Sequence, residues 1–173
     1  MNLNLAKLPI KIVQKKFKDK RGYFQELYLQ KKFKLNIKFT AIANSKQNVI
    51  RGLHFQHRNK QSKLIYVSKG KILDVVVNLK KKSKNFGKTY KFVLKAGDML
   101  FIPEYYAHGY ECLSKESTVL YHLEKYRDPK SENGIPFNDK TLNIKWVTKS
   151  PIISNRDRSH NSMKDFIKKY KGL

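Results

Sequence analysis

Cysteine occurs once, at Cys112. A single thiol cannot close an internal disulfide, so no disulfide framework holds this chain, and its cysteine usage fits a reducing cytoplasm. Acidic residues are scarce, with 13 Asp and Glu against 38 Lys and Arg, which leaves a formal net charge of +25. Apolar runs are short as well. None approaches the roughly 20 residues that span a bilayer, and the first twenty residues interleave Leu, Ile and Val with Lys instead of forming a signal-peptide block. No linker, internal repeat or low-complexity segment interrupts the chain.

What is present points to a globular protein. Of 173 residues, 40% are hydrophobic and 12% aromatic, enough for a folded core in one domain spanning 1–173. The basic excess raises nucleic acid as a partner. Yet Lys is scattered, with only short clusters such as Lys80-Lys-Lys-Ser-Lys84 and Lys168-Lys169. The expectation is therefore an anionic small substrate, drawn in by the positive field, with no nucleic-acid and no membrane partner.

Alternation predicts strands over 8–13, 23–28, 37–43, 48–56, 63–67, 71–79, 90–94, 99–102, 109–113 and 118–125, with a helical turn near 30–35. Residues 37–43 read as half-buried. Ser68-Lys-Gly70 reads as a hairpin turn between its flanking strands. In the second of those, Leu73, Val75, Val77 and Leu79 share one face, while Asp74 lies on the other with Ile72 and Val76 as a structural carboxylate. Residues 128–140 read as a long loop and 162–171 as an amphipathic helix. Many short strands with turn residues between them indicate an all-β sandwich or barrel.

The chain is organised around Asn48-Val-Ile-Arg-Gly-Leu-His-Phe-Gln56. Strict alternation puts Ile50, Gly52, His54 and Gln56 on one face and Val49, Arg51, Leu53 and Phe55 on the other. Arg51 and His54 inside an apolar run call for a partner or a ligand. The plainer reading is an edge strand with a solvated Arg and a hydrogen-bonded His.

Arg51-Gly-Leu-His-Phe-Gln56 followed by Lys63-Leu-Ile resembles the signature of the dTDP-4-dehydrorhamnose 3,5-epimerase family. Four further blocks resemble that family in its order: Phe17-Lys-Asp-Lys-Arg-Gly-Tyr-Phe-Gln-Glu26, Phe101-Ile-Pro-Glu-Tyr-Tyr-Ala-His-Gly109, Leu120-Tyr121 through Glu132, and Ile153-Ser-Asn-Arg-Asp157. The resemblance implies a cupin jelly roll, a double-stranded β-helix with a few short helices, working without metal or other cofactor on a nucleotide-linked 4-keto sugar. It also implies a homodimer that exchanges an N-terminal strand.

Inverting a carbon beside a ketone requires a base, a holder for enolate charge and an acid on the opposite face. His titrates near operating pH and suits the base. The resemblance assigns that role to His54, its orienting carboxylate to Asp157 and the acid to Tyr121. Lys63 would stabilise the enolate. Arg51 and Arg21 would grip the pyrophosphate as bidentate donors. Gln56, His108, Glu26, Glu132 and Arg156 fall on further ligand positions, with Arg21 and Glu26 reaching a neighbouring subunit's site. His122, on the other face from Tyr121, receives no role. Read without the resemblance, Lys63 is a solvated Lys, Tyr121 and His108 are core residues, and Asp157 between two Arg residues is a surface ion pair.

The chain departs from the family where the base is read. Phe39-Thr-Ala-Ile-Ala-Asn44 lacks the family's Gln and Asn, and Arg127 stands where an aromatic stacks on thymine. Arg can stack on a purine and donate to guanine O6 and N7, so a GDP-linked 4-keto-heptose is expected over a dTDP-linked 4-keto-6-deoxyhexose, with Tyr126 as the alternative platform. Three rivals stand beside this reading: a metal-dependent cupin using His54, His57 and His108, a cupin that moves the ketone from C4 to C3, and a basic nucleic-acid binder.

Overall fold

The computed structural model describes residues 1–173, mostly as strands. In chain order these are β1 (Ile10–Val13), β2 (Phe17–Asp19), β3 (Gly22–Phe24), β4 (Phe39–Lys46), β5 (Ile50–Gln56), β6 (Lys63–Lys69), β7 (Lys71–Asn78), β8 (Thr89–Lys95), β9 (Asp98–Ile102), β10 (Tyr106–Cys112), β11 (Glu116–Leu123) and β12 (Glu132–Gly134). The helices are α1 (Gln30–Phe33), α2 (Asn155–Arg158) and α3 (Met163–Tyr170). No helix is long and apolar enough to cross a membrane.

Two five-stranded antiparallel sheets carry the fold, in the orders β1-β9-β6-β11-β4 and β12-β5-β10-β7-β8. This is the cupin jelly roll. The alternation in 71–79 is decoded as expected. Ile72 and Val76 point between the sheets and pack with Ile65, Val67, Leu100 and Val119. Leu73, Val75, Val77 and Leu79 face outward, under a cover formed by Ile135, Met163, Phe166 and the partly buried Trp146. The outer face of the other sheet is covered by the N-terminal segment through Leu3, Phe33 and Leu35. The central strands β6, β7, β9 and β10 are thus buried on two faces, which is why so many of their residues are apolar.

Four expectations need correction. The strands on either side of Gly70 do not pair: β6 belongs to the first sheet and β7 to the second. Gly70, at φ +80°, carries the chain across the sandwich. A Cβ there would lie 2.2 Å from the Glu116 carbonyl oxygen, so the corner requires glycine. The strand expected over 23–28 stops at Phe24, and β2 and β3 form a hairpin bonded to neither large sheet. β4 is an edge strand and more exposed than half-buried, with Ile42 69% exposed. Finally, the loop 128–140 contains β12, which pairs Glu132 with Gln56.

Candidate active site

β5 does not alternate strictly, and this decides the site. Its pairing with β10 places His54 opposite His108 and Arg51 opposite Tyr110, with a register shift between. Gly52 (φ +128°) and Gly109 stand back to back there: a Cβ on Gly52 would come within 2.5 Å of the Gly109 Cα. Only two glycines permit that approach. The irregularity overturns the expected faces. Arg51 and His54 now line one cavity, while Leu53 and Phe55 pack outward against α3.

That cavity, about 210 Å³, is lined by Arg51, His54, Lys63, His108, Gly109, Tyr110 and Tyr121. It is smaller than the roughly 300–1,000 Å³ of pockets that enclose drug-sized ligands, and suits a sugar ring with its nucleotide lying outside. The larger hollows near α3 and near the N-terminal segment are lined by no histidine. Chemistry rather than size selects the small cavity.

His54 is half-buried, and its Nε2 lies 2.8 Å from Asp157 Oδ1. The other Asp157 oxygen accepts from the Gly52 N–H at 3.1 Å. Asp157 is therefore buried beneath β5 and not a surface ion pair. Burial opposes its ionisation, but the His160 and His54 imidazoles and the Gly52 N–H outweigh it and hold the carboxyl well below the ordinary range. Burial lowers the pKa of His54 against the pull of Asp157, with Lys63 adding to the lowering. A neutral ring whose Nε2–H donates to Asp157 keeps a free lone pair on Nδ1, as a general base needs.

Tyr121 comes from β11, in the opposite sheet from His54. Burial, reinforced by Tyr110 and Asp74, raises its pKa well above the usual value, so it stays protonated at neutral pH. Lys63 opens β6 beside it. Burial pushes its pKa down to about 8, while Glu132 and Asp74 pull the other way. His108 is buried, with Nε2 2.8 Å from Asp74 Oδ2, and its ring meets Tyr121 edge-on at 6.1 Å. The face given to Asp74 is as expected, and its fully buried carboxylate braces a cavity residue.

At the rim, Arg51 donates from Nε to Ser45 Oγ and from Nη2 to the Asn44 carbonyl, both at 2.9 Å. Glu132 accepts from Arg127 at 2.7 Å and from Arg156 at 3.0 Å. Gln56 points elsewhere: it donates to the Asn59 carbonyl and accepts from the Asp128 N–H, tying two loops together. Arg21 sits on the exposed β2–β3 hairpin bonded to Asp19, so it does not reach the cavity of its own chain. Glu26 does not line that cavity either.

Sequence reasoning missed His160, which stands beside Asp157. Its only signal is the spacing, three residues on, which brings both side chains to one side of a helical turn. His57 and His108 do not join His54 in a ligand cluster. His57 bonds the Ser131 carbonyl and lies against Tyr170, so the His54–His57–His108 metal cupin fails on geometry.

A family model described as dTDP-4-dehydrorhamnose 3,5-epimerase matches residues 6–165. The chain belongs to that family. It is 39% identical over 153 residues to the dTDP-4-dehydrorhamnose 3,5-epimerase of Salmonella typhimurium, covering 83% of this chain and 84% of that protein. The Shigella flexneri enzyme of the same name is 34% identical over 168 residues, 91% and 93% of the two chains. Among solved structures, that of the Bacillus anthracis dTDP-4-dehydrorhamnose 3,5-epimerase with TDP and PPi bound superposes with a TM-score of 0.86 at 33% identity, covering 90% and 94%. The Legionella pneumophila epimerase in complex with dTDP-4-keto-L-rhamnose gives 0.84 at 28% identity, covering 90% and 88%. Like its family, the chain is an epimerase of nucleotide-linked 4-keto sugars. The nucleic-acid and ketone-moving readings are set aside.

Proposed function

We propose that residues 1–173 act as one domain that inverts C3 and C5 of a dTDP-linked 4-keto-6-deoxy sugar. The observation that carries this reading is the placing of a carboxylate-held His54 and a protonated Tyr121 on facing sheets, with Lys63 lining the same cavity. His54 Nδ1 takes the proton beside the ketone. Lys63 holds the charge that moves onto the ketone oxygen, and His108 fixes the sugar. Tyr121 then delivers a proton to the opposite face of the carbon, and solvent restores both residues. Arg51 and Arg156 bind the diphosphate at the rim.

The expectation of a guanine nucleotide gives way. Arg127 is engaged by Glu132, whereas the ring of Tyr126, 67% exposed, stacks on Phe39 at 6.2 Å and 11°. A flat aromatic pair suits thymine, and the solved relatives bind TDP or a dTDP-sugar. The enzyme works in the cytoplasm as a homodimer whose N-terminal hairpin brings Arg21 and Glu26 to the partner's cavity. The separation of β2–β3 from both large sheets supports this arrangement.

Mass spectrometry of a dTDP-4-keto-6-deoxy sugar incubated with enzyme in D₂O tests the chemistry. Wild type is expected to introduce deuterium at two carbons, and His54→Asn at none. Exchange surviving in His54→Asn removes His54 from the mechanism.

A further inference from the structure

His160 is buried, with its side chain 7% exposed, and its Nε2 has no hydrogen-bond partner. The nearest candidate, Asp157 Oδ1, lies at 3.7 Å, beyond hydrogen-bonding range. A buried ring nitrogen left in that state needs an explanation. The ring is also confined from behind, since a Cβ on Gly134 would fall 2.4 Å from its Nε2. It is held edge-on to His54, with ring centroids 5.7 Å apart. His54, Asp157 and His160 each offer one ligand atom, and the three atoms lie within 4.8 Å of one another.

We propose that His160 converts the His54–Asp157 pair into a transition-metal site, and that zinc bound there switches the enzyme off. Two imidazoles and one carboxylate are a zinc-type donor set with a fourth position left for water. Magnesium and calcium prefer oxygen ligands throughout and fit poorly. Bonds of about 2.0–2.2 Å in a tetrahedron place ligand atoms roughly 3.4 Å apart. The 2.8 Å and 3.7 Å separations around Asp157 bracket that value, so small side-chain rotations suffice.

Inhibition follows from where the proton goes. In the free enzyme the His54 Nε2–H donates to Asp157, and the Nδ1 lone pair is available. Zinc on Nε2 takes that nitrogen's lone pair, and the proton moves to Nδ1 of the still-neutral ring. The nitrogen that would accept the substrate proton then already carries one. Binding needs only the three side chains, whereas the inhibition rests on His54 being the base.

Calorimetric titration with zinc chloride, run beside deuterium exchange, separates the two. Wild type is expected to bind one zinc per chain, with exchange lost on binding and restored by EDTA. His160→Gln should lose about tenfold or more in zinc affinity, with inhibition, measured against the variant's own zinc-free exchange rate, shifted to the same degree. His160→Asn serves if the glutamine variant does not fold. Equal zinc binding by wild type and variant, or none by wild type, overturns the proposal. Were wild type inactive on the sugar, the epimerase reading would fail, and the calorimetry would still decide the site.

Discussion

Lys63 is the residue whose burial works against stability and, in the proposed mechanism, for function. Its charge is disfavoured by desolvation, and that pressure makes a cation effective beside a forming enolate. With its pKa pushed down to about 8, Lys63 is charged at pH 7 and loses its proton above pH 8. The expected kcat/KM therefore falls about tenfold per pH unit above 8. Lys63→Met should lack that limb and run about 10²–10³-fold slower throughout. Linkage gives the companion effect. The unfolded chain holds this proton up to its ordinary value of 10.5, so between about 8 and 10.5 it binds more protons than the native state, and wild type gains stability as pH rises. Melting temperatures of wild type and Lys63→Met should converge across that window; a constant gap would show that Lys63 is solvated. For Tyr121, the expectation concerns partition. Tyr121→Phe leaves His54 able to remove a proton and return deuterium to the same face, so exchange should outlast inversion. Equal loss of the two, measured by mass and NMR on one sample, would argue against separate base and acid.

Two short helical turns show how one local signal reaches two ends. Ser154-Asn-Arg-Asp157 and Ser162-Met-Lys-Asp165 share the Ser-x-x-Asp pattern of a capping box. At α3 the box closes: Ser162 accepts from the Asp165 N–H, and Asp165 accepts from the Ser162 N–H. At α2 only the first half forms. The Asp157 carboxylate turns instead to Gly52 and His54 on β5, which the parallel bridge between Ile152 and Val49 brings alongside. Ser154→Ala and Ser162→Ala should each lower stability by about 1 kcal/mol. Only Ser154→Ala should also slow exchange, by loosening Asp157. Comparing urea midpoints with exchange rates checks this, and equal activity loss in the two variants would detach α2 from the site.

For the whole molecule, the few acids are spent inward. Five of the 13 are buried: Asp74, Asp98, Glu111, Asp139 and Asp157. Glu111 receives the N–H groups of Val147 and Thr148, and Asp139 those of Thr141, Leu142 and Met163. Both brace the C-terminal cover over the second sheet. Most of the unbalanced lysines face solvent and give the surface a positive field of the kind that speeds the approach of anions. The proposed exchange of the N-terminal hairpin has a sharp test. In a heterodimer of Arg21→Ala with His54→Asn, one cavity would combine its own His54 with an intact Arg21 from the other chain. Co-expression should recover up to half of wild-type activity, whereas no recovery would mean that each chain supplies its own Arg21.

The sequence by itself determined the class of fold, the inward and outward faces of β7 and the helix at 163–170, because period-2 alternation and amphipathic spacing are local signals. It could not pair the strands. Gly70 reads as a hairpin turn, and only the burial of two sheets against each other sends β6 and β7 to opposite layers. Nor could it place Arg51 beside His54, because their common face depends on Gly52 meeting Gly109 from a strand more than fifty residues away. His160 was invisible for the same reason. Its neighbours Asp157, His54 and Gly134 meet only once α2 is laid against β5 and β12, and contacts between distant segments follow from packing, which no local pattern encodes.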